Sequence, residues 1–174
     1  MKLSIGIWQW IGFGVTSALG TFLHFLFDLT DGAAWAAVIS GVNESTWEHM
    51  KLLFFPMFAF AIIESFFFRG REDFWCVKLK GILIGLALIP VLFYTYNGVI
   101  GESPDYVNIA IFFITAAIVY ISESRLFKKG TTKCPFPKLA VGLLCLIAIL
   151  FGIFTFVTPE IGIFRDPLTG TYGI

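Results

Sequence analysis

The residues best suited to chemistry lie in one short segment, residues 43–51, which reads NESTWEHMK. It contains two carboxylates, Glu44 and Glu48, and the imidazole of His49. The only other histidine of the chain is His24. Imidazoles and carboxylates are common zinc ligands and common general acids and bases. The segment therefore predicts a metal site or an acid–base pair, with His24 as a further member.

His24 belongs to a polar stripe in the first apolar stretch of the chain. Ser17, Thr21, His24 and Asp28 are spaced by four, three and four residues, which places them on one face of a helix. Such a stripe within a membrane faces the bundle interior or a wet cavity, because lipid cannot satisfy its hydrogen bonds. Asp28 could orient and charge the imidazole. A helix-packing contact through small hydroxylated residues would give the same pattern.

The segment 43–51 also has a purely structural interpretation. Ser45 and Glu48 form an S-x-x-E capping box at the start of a helix. Trp47 would then anchor that helix at the membrane interface. The box leaves Glu44 and His49 unexplained, whereas Lys51 could balance the carboxylates at helical spacing. The chain has no HExxH or HxxxH motif, so metal ligands would have to converge from separate helices.

Two further candidates lie later in the chain, Tyr94 as a polarising hydroxyl and Asp105 as a carboxylate ligand. The predicted catalytic residues are His24, Asp28, Glu48, His49 and Tyr94. The predicted metal ligands, with zinc as the expected cofactor, are His24, Glu44, His49 and Asp105.

The elements that position these residues are predicted to be membrane helices. Of 174 residues, 57% are hydrophobic and 14% charged, whereas a soluble domain has about 25% charged residues. A helix of roughly 20 apolar residues spans the bilayer core. The formal net charge is zero, which argues against nucleic acid as a partner. The sequence predicts an all-α integral membrane protein, a single polytopic domain over residues 1–174, whose partner is the lipid bilayer. The five predicted spans are residues 3–27, 50–68, 81–99, 106–122 and 139–157.

Two apolar stretches need separate interpretation. Residues 32–42 are too few to cross a bilayer and are predicted to be a re-entrant or interfacial segment. The first span follows Lys2 but exceeds the roughly 7–15 apolar residues of a signal peptide, so we expect a retained helix.

Lysine and arginine predict the orientation of the helices. Ten of the twelve basic residues fall on one side of a five-span layout, leaving Lys51 and Arg165 on the other. The positive-inside bias then places the N-terminus in the cytoplasm and the C-terminus outside. Both histidines and eight of the twelve acidic residues fall on the outer half, which predicts a polar site there. Glu64 and Glu123, near the cytoplasmic ends of their spans, are expected to pair with Lys80 or Arg125.

The cysteines and the last eleven residues carry weaker signals. Cys76, Cys134 and Cys145 lack metal-ligand spacing, and their odd number argues against a disulfide framework. We expect three isolated thiols. The C-terminal segment 164–174 is too short to fold alone, and it is either a lid over the outer mouth or a frayed terminus.

The chain resembles an uncharacterised bacterial family of small polytopic membrane proteins. The resemblance rests on four features: His24 in the first helix, the NES-x-WEH-x-K stretch at 43–51, Tyr94 with Tyr96 ending the third helix, and a terminal F-x-DP-x-x-G-x-YG at 164–173. It implies a multi-pass protein of the bacterial plasma membrane, and it implies no substrate.

A looser similarity links Asn43-Glu44-Ser45, Trp47 and His49 to the segment that opens the membrane core of the progesterone/adiponectin receptor family. That family and its ceramidase-type relatives have seven helices, with zinc-dependent amide hydrolysis in some members. The present chain has five predicted spans and no HxxxH near its end.

Three functions fit these observations. The first is a metal-dependent membrane hydrolase that acts on a lipid or apolar small molecule from the outer side. The second is a carrier or transporter subunit, although carriers usually place their sites on broken helices at mid-membrane. The third is a non-catalytic scaffold that binds a partner protein through its outer acidic residues. We expect the enzyme, because the ionisable groups gather toward one end.

Overall fold

A computed structural model describes residues 4–101, 104–130 and 132–174, without the side chain of Asp105. Its regular structure is helical, with one isolated bridge between Arg165 and Tyr172. The helices are α1 Ile5–Leu29, α2 Ala34–Ile39, α3 Thr46–Phe67, α4 Phe74–Ile100, α5 Asp105–Lys129 and α6 Pro137–Phe156, followed by a 3-10 turn, Gly162–Phe164.

Five of these helices, all except α2, are long and apolar enough to cross a membrane. The prediction of an all-α protein with five spans is therefore confirmed. Large apolar side chains such as Phe22, Ile63 and Leu139 remain exposed along the outside of the bundle, as expected of surfaces that face lipid. Pro56 and Pro90 lie inside α3 and α4, which both continue through them.

The bundle is held together by α3 and α4 at its centre. Helix α3 packs against α1, α4 and α6, while α5 packs against α1 and α4. Leu53 and Phe54 of α3 are fully buried, as are Ala116 and Val119 of α5. Gly85 of α4 faces Leu53 and Val119 so closely that a Cβ there would overlap them. The core thus depends on close helix approach at small residues.

The short segment between α1 and α3 contains α2. Its Ala36 and Ala37 are fully buried, whereas Trp35 is exposed. With six residues, α2 is far too short to span the bilayer. It packs mainly against α6 and also contacts α1 and α3.

Helices α4 and α5 extend beyond the predicted spans at their basic ends, and a buried ion pair between them explains why. Lys78 of α4 pairs with both Glu64 and Glu123 inside the bundle. The expected pairing of Glu64 and Glu123 with Lys80 or Arg125 was wrong, because Lys78 is the basic residue that faces these carboxylates.

In the connection before α4, Arg71 donates hydrogen bonds to Asp73 and to the carbonyl of Phe127. The hydrogen bonds from Arg71 to the Asp73 carboxylate hold the pKa of that carboxyl below its ordinary value.

A disulfide joins Cys76, near the start of α4, to Cys134 in the connection between α5 and α6. Their Cα atoms are 5.6 Å apart. The prediction of three isolated thiols was therefore wrong for two of them, and only Cys145 is free. No local pattern indicated the pairing, because the two cysteines are 58 residues apart and the third made the number odd.

The C-terminal tail folds back onto the end of the bundle that contains His24 and His49. Phe164 is buried, with its ring centroid 4.7 Å from that of Trp47. Asn43 donates its amide hydrogen to the carbonyl of Gly173 at 2.9 Å, and Tyr94 donates its hydroxyl to the carbonyl of Gly162 at 3.0 Å. Of the two expectations for this tail, the structure favours the folded segment over the frayed terminus.

Candidate metal site

Three elements meet at one end of the bundle, opposite its basic connections, to form a cluster of His24, Glu44 and His49. His24 lies in the last turns of α1, Glu44 in the connection after α2, and His49 in the first turn of α3. Two local hydrogen bonds fix this connection. Asn43 accepts from the backbone N–H of Ser45 at 2.9 Å, and Ser45 caps α3 by accepting from the N–H of Glu48 at 3.4 Å.

The Glu44 carboxylate lies between the two imidazoles. Its Oε1 is 3.7 Å from His24 Nε2, and its Oε2 is 3.5 Å from His49 Nε2. The ring centroids of the histidines are 5.6 Å apart, with the ring planes nearly perpendicular. One ligand atom from each residue lies within 4.8 Å of the others. The three side chains therefore converge on a common point.

A hydrogen bond sets which nitrogen of His49 faces this point. His49 Nδ1 lies 3.0 Å from the carbonyl oxygen of Ser45. Because a carbonyl can only accept, Nδ1 carries the hydrogen, and a neutral His49 has its lone pair on Nε2. Nε2 is the atom directed at Glu44. A backbone partner of this kind is typical of metal-binding histidines.

The cluster opens into a cavity of about 400 Å³ between α1, α3 and α5. Phenylalanine rings form much of its wall, and Gly20 and Thr21 of α1 line it one turn before His24. The residues that line it are Gly20, Thr21, His24, Phe25, Glu44, His49, Leu52, Asn108, Ile109, Phe112, Phe113 and Leu168. His24 and Glu44 each keep more than a third of their side chains exposed. An apolar cavity with a few convergent polar groups is the usual form of a small-molecule site.

Glu48, which the sequence predicted as catalytic, has other partners. It pairs with Lys51 at 2.6 Å and accepts from the backbone N–H of Val42 at 3.1 Å. Lys51 also donates to the carbonyl of Ala37 and to Thr155 of α6. Lys51 thus balances Glu48 and leaves Glu44 to the histidines, so the structure separates two carboxylates that the spacing had grouped together.

Two of the remaining predicted residues, Asp28 and Tyr94, do not join the cluster. Asp28 is exposed, and the described part of the chain shows no hydrogen bond between it and His24. Tyr94 binds the tail through the carbonyl of Gly162 and contacts Thr46 at 3.5 Å. The side chain of Asp105 lies outside the described residues. Their predicted roles therefore gain no geometric support.

One residue that the sequence analysis left out of the site is Asp166. It is buried in the tail, where its Oδ1 accepts from the N–H of Leu168 at 2.8 Å. Its carboxylate lies near enough to His49 to interact with it electrostatically. The F-x-DP-x-x-G-x-YG stretch and the possible lid placed the tail at the same end as His49, but neither indicated which tail residue would approach His49.

The fold and the cluster together define a five-span helical membrane protein with a histidine–carboxylate site at one end. The chain belongs to a family of unknown function, DUF6512, whose model matches residues 2–174. This match confirms that the chain is a member of an uncharacterised family. No curated protein matches the chain, and no solved structure matches it.

Proposed function

We propose that His24, Glu44 and His49 bind a divalent transition metal, with zinc the expected ion, and that the protein is a hydrolase of a lipid or apolar small molecule. The observation that supports this most directly is the convergence of the three ligand atoms within 4.8 Å at the wall of an apolar cavity. Two imidazoles and one carboxylate are a known ligand set of catalytic zinc, with the fourth position left for water or substrate.

The two distances from Glu44, one from each oxygen of its carboxylate, are compatible with such an ion. Two ligands of a tetrahedral zinc at 2.0–2.2 Å lie about 3.4 Å apart. The contacts of Glu44 with His24 and His49, at 3.7 and 3.5 Å, are close to this value. Without a metal, Glu44 can still attract a protonated histidine, so the same contacts could be simple ion pairs. Metal content separates these two arrangements.

A bound zinc would lower the pKa of a coordinated water and so supply a hydroxide nucleophile at neutral pH. The neighbouring residues of the chain would orient the metal ligands and form the wall of the substrate cavity. Ser45 orients the His49 ring, and Phe25, Phe112 and Phe113 provide an apolar wall for an acyl chain. Leu168 of the tail reaches the same cavity. Asp166, beside His49, is placed to influence its charge.

The first experiment measures metal. The protein would be purified without metal-affinity resin, and its zinc determined by mass spectrometry. We expect about one zinc per chain in wild type and loss of it in His24→Ala, Glu44→Gln and His49→Ala. Asp28→Asn is the matched control, because Asp28 lies one turn beyond His24 and is exposed. Metal-free wild type, or equal zinc in all variants, would contradict the metal site.

The second experiment measures hydrolysis separately. Zinc-loaded wild type in detergent would be offered fluorogenic fatty-acyl ester and amide probes. We expect turnover that disappears with a chelator, returns with zinc, and is absent in Glu44→Gln. Stoichiometric zinc without turnover of either probe would keep the metal site and overturn the hydrolase. A chain that lacks both would favour the carrier or the scaffold.

A further inference from the structure

A second polar cluster lies near the opposite, basic end of the bundle, and it goes beyond the proposed function. Four helices contribute one side chain each: Gln9 from α1, Glu64 from α3, Lys78 from α4 and Glu123 from α5. All four are buried, and Glu64 and Glu123 are completely inaccessible. Ionisable groups so placed within membrane helices are usually functional.

The contacts within this cluster are direct. Lys78 Nζ pairs with Glu64 Oε2 and, at 2.6 Å, with Glu123 Oε2. Gln9 donates its amide hydrogen to Glu64 Oε1 at 3.3 Å. One ammonium group thus serves two carboxylates that come from different helices.

The formal charges of the cluster do not balance. Two carboxylates and one ammonium leave a net charge of −1, and no other cation lies within salt-bridge distance of either carboxylate in the part of the chain described. The Lys78 ammonium is surrounded by the rings of Phe74, Tyr120 and Phe127. The hydroxyl of Tyr120 forms a hydrogen bond of 2.7 Å with the hydroxyl of Thr16 of α1. An uncompensated buried charge in such surroundings is strongly unfavourable.

Arg71, a further cation near the cluster, already has an acidic partner. Arg71 lies over the ring of Phe127 and binds Asp73. The groups that face the two carboxylates are therefore Lys78, Tyr120 and the neutral amide of Gln9.

Two buried oxygens at this cluster also lack a donor. Among the described residues, Glu123 Oε1 and Gln9 Oε1 have no hydrogen-bond partner. Buried acceptors of this kind are uncommon, and each calls for a missing donor. Gly81 packs directly on Glu123, and a Cβ at that position would overlap the carboxylate. A proton is the one cation that needs no additional space there, since it binds as an O–H bond on an existing oxygen.

We propose that Glu64, Lys78 and Glu123 form a proton-binding site that holds one exchangeable proton on its two carboxylates. The proton comes from water and returns to water, and it forms and breaks one carboxyl O–H bond. With the proton bound, the cluster is neutral and one carboxyl gains a donor. Loss of the proton leaves a negative charge among four helices, which favours their separation and the entry of water. The site is therefore a protonation-dependent contact between α1, α3, α4 and α5.

Infrared spectroscopy of the protein in lipid nanodiscs tests this by counting protonated carboxyls. Wild type at neutral pH should show a carboxylic acid C=O band from this site that disappears on titration to alkaline pH. Glu64→Gln and Glu123→Gln should each lose that band, because either change makes the remaining pair neutral without a proton. Lys78→Gln, if it folds, should increase the band, since two carboxylates then lack a cation. The exposed Glu160→Gln is the control and should leave the band unchanged.

The same charge count predicts how the melting temperature changes with pH. The melting temperature of wild type should fall as pH rises from the ordinary pKa of Glu, about 4.3, to the pH at which the site loses its proton, because over this range only the folded chain binds that proton. Glu64→Gln and Glu123→Gln should lack this fall. An infrared band of equal size in wild type and both Gln variants would overturn the proposal, as would its absence from wild type at neutral pH. A band that appears only when sodium in the buffer is replaced by the larger cation choline would show that sodium, rather than a proton, normally occupies the site.

Discussion

At the scale of single residues, the first turn of α3 gives two neighbouring side chains opposite environments. His49 faces the cavity beside α1 and α5, whereas Glu48 is buried against Lys51 and Thr155. Adjacent positions on a helix differ in direction by about 100°, since a turn contains 3.6 residues. Glu48 is thus a structural partner of Lys51, and His49 remains available to a ligand.

Glu48→Gln should therefore behave as a buried ion-pair mutant. The Lys51 ammonium, which is fully buried, would lose its counter-charge and keep only neutral acceptors such as the Ala37 carbonyl and the Thr155 hydroxyl. Removing one partner of a buried ion pair typically lowers the free energy of unfolding by about 3–5 kcal/mol. Ser45→Ala, which removes only the helix cap, should cost about 0.5–2 kcal/mol. Melting in detergent, with Glu160→Gln as the exposed control, measures both losses. A Glu48→Gln variant as stable as wild type would contradict the structural role.

The site was predictable from sequence only in part. His24, Glu44 and His49 could be chosen because ionisable residues at membrane depth are rare and costly. The partner of Glu48 could not be assigned, because Lys51 is at helical spacing from both Glu44 and Glu48. Asp166 was missed as a neighbour of His49 because its position depends on the return of the tail, which no local pattern encodes.

At the scale of helices, α1 approaches its neighbours through glycine on one face only. A Cβ on Gly20 would lie 2.5 Å from the ring of Phe112 and 2.8 Å from the carbonyl oxygen of Leu52. Gly14 on the same helix has no such neighbour within 4 Å. These two positions form a matched pair for testing the packing beside the cavity.

Gly20→Ala should destabilise the protein by about 1–3 kcal/mol, because overpacking forces neighbouring groups apart. Gly14→Ala should be neutral or slightly stabilising, since alanine is favoured over glycine in a helix by about 0.5–1 kcal/mol. Thermal melting of both variants in one detergent provides the comparison. Equal melting temperatures for the two variants would mean that α1 does not pack on Phe112 and Leu52 as described.

The Cys76–Cys134 disulfide links the start of α4 to the connection between α5 and α6, at the basic end of the bundle. Intact cells treated with N-ethylmaleimide, followed by denaturation and mass spectrometry, should give one adduct per chain, at Cys145. Reduction before alkylation should give three adducts. Cys145→Ser is the control and should give none before reduction and two after. Three adducts without reduction would show that this pair is a dithiol in the cell.

Helix ends were the least predictable feature of the elements. The hydropathy pattern located all five spans, but it began the third at residue 81 and ended the fourth at residue 122, whereas α4 starts at Phe74 and α5 ends at Lys129. The missed turns contain Lys78 and Glu123, which a hydropathy window counts as polar. Their mutual pairing lets these turns enter the bundle, and pairing between distant residues is invisible to a local window.

At the scale of the whole molecule, the five helices separate two kinds of chemistry. The histidine–carboxylate cluster and the folded tail are at one end, and the basic connections, the disulfide and the Lys78 cluster are at the other. Lys78 and Lys51 are both buried in ion pairs, so neither counts as a loop charge, which leaves nine basic residues against one, Arg165. The positive-inside bias still predicts a cytoplasmic basic end. The disulfide points the other way, because disulfides persist mainly in oxidising compartments.

Cysteine labelling in intact cells decides between these two arguments, and we expect the charge bias to prevail. In a Cys145→Ser background, Gly70→Cys and Lys129→Cys should react with an impermeant maleimide only after the membrane is opened. Thr169→Cys in the tail should react in intact cells, because an odd number of spans places it opposite the other two. All three positions are exposed, and the background without an added cysteine is the control. The reverse pattern would place the basic end outside, where the disulfide is stable and the proposed metal site would face the cytoplasm.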